Sequence, residues 1–542
     1  MNRAVLTVAC LFLLGASTTF ADDTLWTRRY NGTGDRNDAA RVALVDASGG
    51  VIVVGSTVGS TTGLDISVVK YNSAGFQLWT ATIAGSGTSH DEAAGAALDR
   101  TGAIHVTGTT GTYPNYDILT VKLNADGSEA WRRTYDGAAS RADEPAAIAV
   151  DSAGLTYVTG YTNNASDVAD FVTIKYSAGT GLPLWTVVRP GEGGGTDKAT
   201  AIALGPDGSV WVTGYSARQY MDDYCTVKYS STGVEDTVAF YNYSANATDQ
   251  AVAIAVDAAG NAYVTGQSAN APAPNGKYEY ATIKYNSSGA QQWVARYTGT
   301  GGSNMPAALA LGTSAVYVTG SSQRAAGDMD YATVAYNTNT GDTLWVRRFN
   351  APPGGNDDAT AIAVGPADKV FVTGTSIDWN GRGDYMTLRY SAAGEAEWSE
   401  RYNSPFDNDD EGVSIALDSR SDAIVLGTSY GSANYDFLTV KYDSSATGGI
   451  VNFEQAAPGR PGLRLAPNPA RAWVRVEHSL SGAGPAVITL LGADGRVVRA
   501  QRFDRLADRP ARLDLTGLGP GVYIVRLVAG GRSATQKLVV GQ

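Results

Sequence analysis

An all-β fold is what this sequence predicts, on three observations. Glycine supplies 64 of the 542 residues while charged residues make up only 17 %, against usual shares of about 7 % and about 25 %; that balance suits short strands joined by tight turns. Apolar runs rich in Val, Ile, Tyr and Trp recur between Gly-closed turns such as "DSAG", "NADG" and "NSSG", the pattern of antiparallel hairpins. A long unit also repeats, and it lacks the 3.6-residue periodicity that a helical solenoid would need.

The repeat can be counted. "YVTGYTNNASDVADFVTIKYSAGTGLPLW" (157–185) returns as "YVTGQSANAPAPNGKYEYATIKYNSSGAQQW" (263–293) and "FVTGTSIDWNGRGDYMTLRYSAAGEAEW" (371–398). Its V-x-G glycine recurs at Gly55, Gly108, Gly160, Gly214, Gly266, Gly320, Gly374 and Gly427, in steps of 52 to 54 residues. Each period holds four strand-like runs, typified by "AIAVD", "YVTG", "DFVTIKY" and "LWTVV". Four short antiparallel strands repeated radially make the blade of a β-propeller, so eight copies predict eight blades.

The tryptophan register starts one copy early. It runs Trp26, Trp79, Trp131, Trp185, then Thr237, then Trp293, Trp345 and Trp398, while residues 410–442 end without a tryptophan strand. "LWTRRY" (25–30) is therefore expected to serve as the fourth strand of the eighth blade, closing the ring and removing an open edge. Alternating Ala and larger residues in the first strands, as at Ala201 to Leu204, suit crowding around an axis. The tryptophans are expected to fill wedges between blades.

The ends of the chain read differently. Met1 to Arg3 followed by the apolar "AVLTVACLFLLGA" is too short for the ~20 residues of a spanning helix and reads as a secretory signal peptide (1–21), cut between Ala21 and Asp22. Cys10 lies inside that run, so a lipid anchor at the cut is not expected, and Cys225 alone in the mature chain leaves no internal disulfide. From Gly459 onward 13 Lys and Arg face 5 Asp and Glu, which leaves a net of −21 for residues 22–458. Such a field opposes nucleic acids and favours cations or neutral ligands.

Three resemblances follow from the quoted residues. The "YVTG…DYxTVKYN..G…W" units over about 25–443 resemble the SBBP type of bacterial β-propeller repeat, which implies a secreted or surface propeller without one assigned activity. "NTNTGDTLW" (337–345) is similar to repeats of eight-bladed quinoprotein dehydrogenases and of a related outer-membrane assembly scaffold, although the adjacent-cysteine pair of the quinoproteins is missing. "LAPNPA", "LLGADGRVV", "LDLTGLGPGVYIVRL" and "TQKLVV" resemble the type A C-terminal sorting domain of the type IX secretion system. In that likeness Pro467, Asn468 and Pro469 open the domain, Gly495 closes a hairpin, Gly521, Val522 and Tyr523 form the G-V-Y strand, and Lys537 lies on the last strand. It implies export across the outer membrane through the type IX machinery, then removal of the domain with release or attachment to surface lipopolysaccharide. Independently, the alternating apolar runs of 463–542 read as a small Ig-like β-sandwich, joined to the propeller (22–443) by the linker 444–462, where cleavage would fall.

Candidate chemistry belongs on the rim that carries the second-to-third and fourth-to-first loops, which are longer and vary most. Tyr113, Tyr116, Tyr220, Tyr278, Trp379, Tyr430 and Tyr435 lie in or beside those loops and would give an aromatic platform for a glycan or peptide, or cover blade edges. Asp38, Asp91, Asp143, Asp197, Asp249, Asp357 and Asp410, with Asn304 in the sixth copy, precede the first strands. They would form a carboxylate ring at the channel mouth, or each would accept N–H bonds in its own loop. Ca²⁺ is the cation such a ring, or Asp407, Asp409 and Asp410 in "DNDDE", would take. A second register sets Asp five residues before Lys, as in Asp65 and Lys70; the odd offset puts the two on opposite faces, so pairing is expected across blades.

Catalysis has little support. The histidines are His90, His105 and His478, and no G-x-S-x-G elbow or phosphate-cradling loop precedes a helix. The reading is a secreted or surface binding or scaffold propeller; the alternative is a carbohydrate-active propeller enzyme using a carboxylate pair on the loop-rich rim.

Overall fold

The structure is a computed structural model. It describes residues 24–445, apart from 60–62, 86–88, 113, 219–220, 245–246, 273–275, 325–326, 352–354, 379–380, 405–407 and 432, and then 463–466, 473–478, 486–491, 496–503, 511–529 and 532–540.

Among the described residues up to 442, the chain forms eight four-stranded antiparallel sheets. The first is Ala39–Val45, Val51–Val58, Leu64–Tyr71 and Gln77–Ile83, in that order. The next six repeat this order over 92–135, 143–189, 197–241, 249–297, 304–349 and 357–402. The eighth takes Asp410–Leu417, Ala423–Tyr430 and Tyr435–Tyr442 from the end of this region and Thr24–Tyr30 from its start. There Thr24 stands opposite Tyr442 and Tyr30 opposite Phe437, so the N-terminal strand completes the last sheet. First strands pack on first strands around the molecule, and Asp410–Leu417 packs on Ala39–Val45. This is a β-propeller arrangement.

Burial explains the residue types. Second and third strands are buried along nearly their whole length, as in Thr156–Asn163 and Ala169–Tyr176, whereas fourth strands such as Pro183–Arg189 alternate exposed and half-buried residues. The inner pair therefore reads as continuous apolar runs. Where it carries threonine, the hydroxyls satisfy one another across the ladder: Thr159 with Thr173, Thr265 with Thr282 and Thr373 with Thr387, each at 3.0 Å.

The tryptophans bridge consecutive sheets. Trp131 Nε1 donates to Ala178 O at 3.2 Å, Trp185 to Ser231 O at 3.2 Å and Trp345 to Ala392 O at 2.9 Å, each on the third-to-fourth turn of the following sheet. Thr237, the exception in the register, keeps the same link through Oγ1 to Ser288 O at 3.2 Å. Trp398, whose following sheet is the closing one, packs edge-on against Tyr442 with ring centroids 5.3 Å apart.

Beyond residue 462 two further sheets occur, one of Leu463–Ala466, Trp473–His478 and Ala511–Asp514, the other of Val497–Phe503, Ala486–Leu491, Gly521–Ala529 and Arg532–Val540. They share a core of Val474, Val476, Ile488, Leu490, Leu513, Val525, Leu527 and Leu538. Of the sorting residues, Gly521, Val522 and Tyr523 pair with Val540, Val539 and Leu538, and Lys537 stands opposite Ile524. Pro467, Asn468, Pro469 and Gly495 lie outside the described residues, as do Ala21 and Asp22. No helix among the described residues is long and apolar enough to cross a membrane.

Candidate functional site

The rim bearing the second-to-third and fourth-to-first loops is organised by the acids that open the first strands. Each accepts a backbone N–H from six residues earlier: Asp38 from Gly32 at 2.6 Å, Asp143 from Gly137 at 2.5 Å, Asp197 from Gly191 at 2.8 Å, Asp357 from Ala351 at 2.8 Å and Asp410 from Ser404 at 2.7 Å. All are buried. These carboxylates brace the loops that arrive from the previous sheet, the second of the two alternatives open for them. Burial pushes Asp38 up to about 6 and Asp357 up to about 7, against the N–H and hydroxyl donors that favour the charged form.

The second register of acids also corrects an expectation, because its ion pairs form within a sheet. Lys70 meets Asp46 at 2.9 Å and Lys122 meets Asp99 at 3.0 Å, in each case the acid of its own first-to-second turn. Across sheets the lysines reach carbonyls instead: Lys175 Nζ donates to Ser231 O at 2.9 Å and Lys284 Nζ to Thr338 O at 2.8 Å. A stem that crosses to a neighbouring turn satisfies both contacts, which strand-offset reasoning alone does not capture.

Of the predicted aromatic residues, Tyr113, Tyr220 and Trp379 lie outside the described residues. Tyr116, Tyr278 and the pair Tyr430 and Tyr435 sit in the second, fifth and eighth sheets. Tyr430 and Tyr435 meet edge-to-face at 5.0 Å. Tyr435 Oη lies 3.5 Å from Asp409 Oδ2, and Asp409 Oδ1 accepts from Gly383 N at 3.0 Å. Asp407 is outside the described residues.

Where third, fourth and fifth sheets meet the same rim, residues not singled out from sequence come together. Glu144 stands opposite Tyr161, Lys198 opposite Tyr215 and Gln250 opposite Gln267, all at the rim ends of first and second strands. Lys198 Nζ sits 3.8 Å from the centre of the Tyr161 ring. Gln267 Nε2 donates to Gln250 Oε1 at 2.7 Å, and Gln250 Nε2 donates to Asp222 Oδ2 at 2.6 Å. Burial, and then Glu144 beside it, raises Tyr161. The rings are half-buried, and so are Glu144, Lys198, Gln250 and Gln267: aromatic faces, amides and a carboxylate share one partly open surface. The sequence signal was the residue after V-T-G, which is Tyr161 and Tyr215 here but Ser, Thr or Gln in the other copies.

Residues 464–541 match the secretion system C-terminal sorting domain. That tail carries the chain through the type IX secretion machinery to the cell surface or outside. Among curated proteins no match is found. Among solved structures the chain is similar to the quinohemoprotein alcohol dehydrogenase from Comamonas testosteroni, at 11 % identity over 83 % of this chain and 79 % of that one with a TM-score of 0.44. It is also similar to the WD40 domain of SCAP from fission yeast, at 11 % identity over 78 % of this chain and 99 % of that one with a TM-score of 0.41.

Proposed function

We propose that this is a secreted or surface-displayed eight-bladed β-propeller of the SBBP repeat type that binds a neutral glycan at the mouth of its channel. In this reading residues 1–21 are a signal peptide, 22–443 the propeller, 444–462 a cleavable linker and 463–542 an Ig-like type A sorting domain. The observation that carries the binding role is the group Tyr161, Tyr215, Gln250 and Gln267 with Glu144 and Asp222. The six other copies of the repeat show what the scaffold accepts at this position, Ser, Thr or Gln, and here tyrosines stand instead. Tyrosine faces stack on sugar rings, and amides and carboxylates hold hydroxyls. The acidic surroundings suit an uncharged partner.

The test is a glycan array probed with the full-length chain, followed by titration of retained glycans. Tyr161→Ala and Tyr215→Ala each lower affinity at least tenfold if the reading is right. Retention that both variants leave unchanged, or no retention at all, rejects it; release of shorter products would instead favour the carbohydrate-active enzyme.

A further inference from the structure

Blades five to eight carry an arginine at one register position of the fourth strand: Arg296, Arg348, Arg401 and Arg29 stand opposite Ala281, Ala332, Met386 and Leu438. Each guanidinium binds the acid two residues earlier on the third strand. The distances are 2.8 Å to Glu279, 2.9 Å to Asp330, 2.7 Å to Asp384 and 3.0 Å to Asp436. These acids face the opening residue of the next blade, so without a cation two carboxylates would confront each other in blades six to eight. The fourth blade brings Arg218 to 3.9 Å from Asp223, and the third brings Asn164 to 3.4 Å from Asp170.

The second blade has none of these. Thr134 holds the arginine's position, opposite Leu119. The acid Asp117 faces Asp143 of the third blade and Asp136 of the connecting loop, and one oxygen or more of each lies within 4.8 Å of the others. Three cations of this region are engaged elsewhere, Lys122 with Asp99, Arg132 with Glu129, and Arg133 with the carbonyls of Arg132 and Thr180, and Arg141 of the loop is exposed. Asp143 is fully buried, and its Oδ1 has no hydrogen-bond partner among the described residues. Burial and the two neighbouring carboxylates push Asp117 up to about 6.

We propose that Asp117, Asp136 and Asp143 bind a hard divalent cation, Ca²⁺, which ties the second blade to the third in the place where an arginine serves blades five to eight. Oxygens on one Ca²⁺ at about 2.4 Å can stand no more than about 4.8 Å apart, and Ca²⁺ accepts irregular oxygen shells completed by water, whereas Mg²⁺ demands a near-ideal octahedron. The exposed side chain of Asp136 leaves water a route to the remaining positions.

The test is calorimetric titration of the full-length chain with CaCl₂, together with its melting temperature with and without the ion. Wild type is expected to take up Ca²⁺ and melt higher with it. Asp136→Asn, a change at an exposed carboxylate, weakens uptake at least tenfold. Thr134→Arg installs the guanidinium of the other blades and abolishes uptake while keeping the apo melting temperature or raising it. No uptake by wild type overturns the proposal, and so does uptake that both variants retain in full.

Discussion

Trp131 lies against Gly181 of the next blade so closely that a Cβ on that glycine would come within 2.5 Å of the indole. Gly181 adopts φ +66°, which most side chains avoid. The same contact joins Trp26 to Gly75, Trp185 to Gly233 and Trp345 to Gly394. The tryptophan and the turn glycine that the repeat spaces apart are thus two halves of one joint between blades.

Gly181→Val should therefore cost stability twice, through backbone strain and through displacement of the indole. Each contribution is on the order of 1–3 kcal/mol. Trp131→Ala should cost about 3–5 kcal/mol. Urea or guanidinium melts of the full chain check both, and an unchanged midpoint for either would contradict the joint.

Lys441 is fully buried, with Nζ 2.6 Å from Asp418 and 3.4 Å from Asp422. Lys441→Met leaves two nearly buried carboxylates without their ammonium, and the expected loss is about 3–5 kcal/mol. Replacing both acids by Asn in the Met background should recover part of it. A double-mutant cycle on melting midpoints measures the coupling; additive losses would show that the pairs are independent.

Removal of residues 24–30 should open the ring. The strand Tyr435–Tyr442 would lose its partner, leaving unpaired backbone groups on an apolar edge. The expected result is a lower melting temperature and concentration-dependent association in size-exclusion chromatography. A monomer with wild-type melting would show that closure contributes nothing.

The architecture was legible because the repeat exposes it: the spacing of V-x-G glycines gave the sheets, and the early start of the tryptophan register placed Thr24–Tyr30 beside Tyr435–Tyr442. Side-chain partners were less legible. Lys70 and Asp65 were read by strand offset, but a lysine stem is long enough to reach Asp46 on a turn, and that choice depends on how blades twist past one another. The rim cluster was missed because Tyr161 and Tyr215 sit inside strands, where tyrosine is ordinary. Only comparison of the same position across copies marks them, and likewise shows Thr134, with Thr82, Val188 and Phe240, where the other four blades have Arg296, Arg348, Arg401 and Arg29.

Stability should fall as pH rises from acid to mildly alkaline. Burial raises Asp357 and Asp384 from the ordinary 3.8 to about 7, and Asp38 and Asp249 to about 6, against their hydrogen-bonding and arginine partners. Between about 4 and 7 the folded state therefore holds protons that the unfolded chain has released, and folding weakens with pH wherever the native state binds more protons. The contribution of these groups is complete below 3.8 and is lost as pH passes through about 6 to 7. Asp46 and Asp418 shift the other way, lowered by their hydrogen bonds and lysine partners against the cost of burial, so their contribution changes only below the ordinary carboxylate range. The melting temperature should be higher at pH 5.5 than at pH 8. Asp357→Asn should fold, because Asn304 fills the same position in the sixth blade and donates to Tyr278 O at 3.2 Å and Gly302 O at 3.1 Å. That variant should flatten the pH slope by an amount on the order of 1 kcal/mol per pKa unit removed. Scanning calorimetry across pH 5.5 to 8 decides it: a wild-type chain that gains stability towards pH 8, or an Asp357→Asn slope equal to wild type, contradicts the assignment.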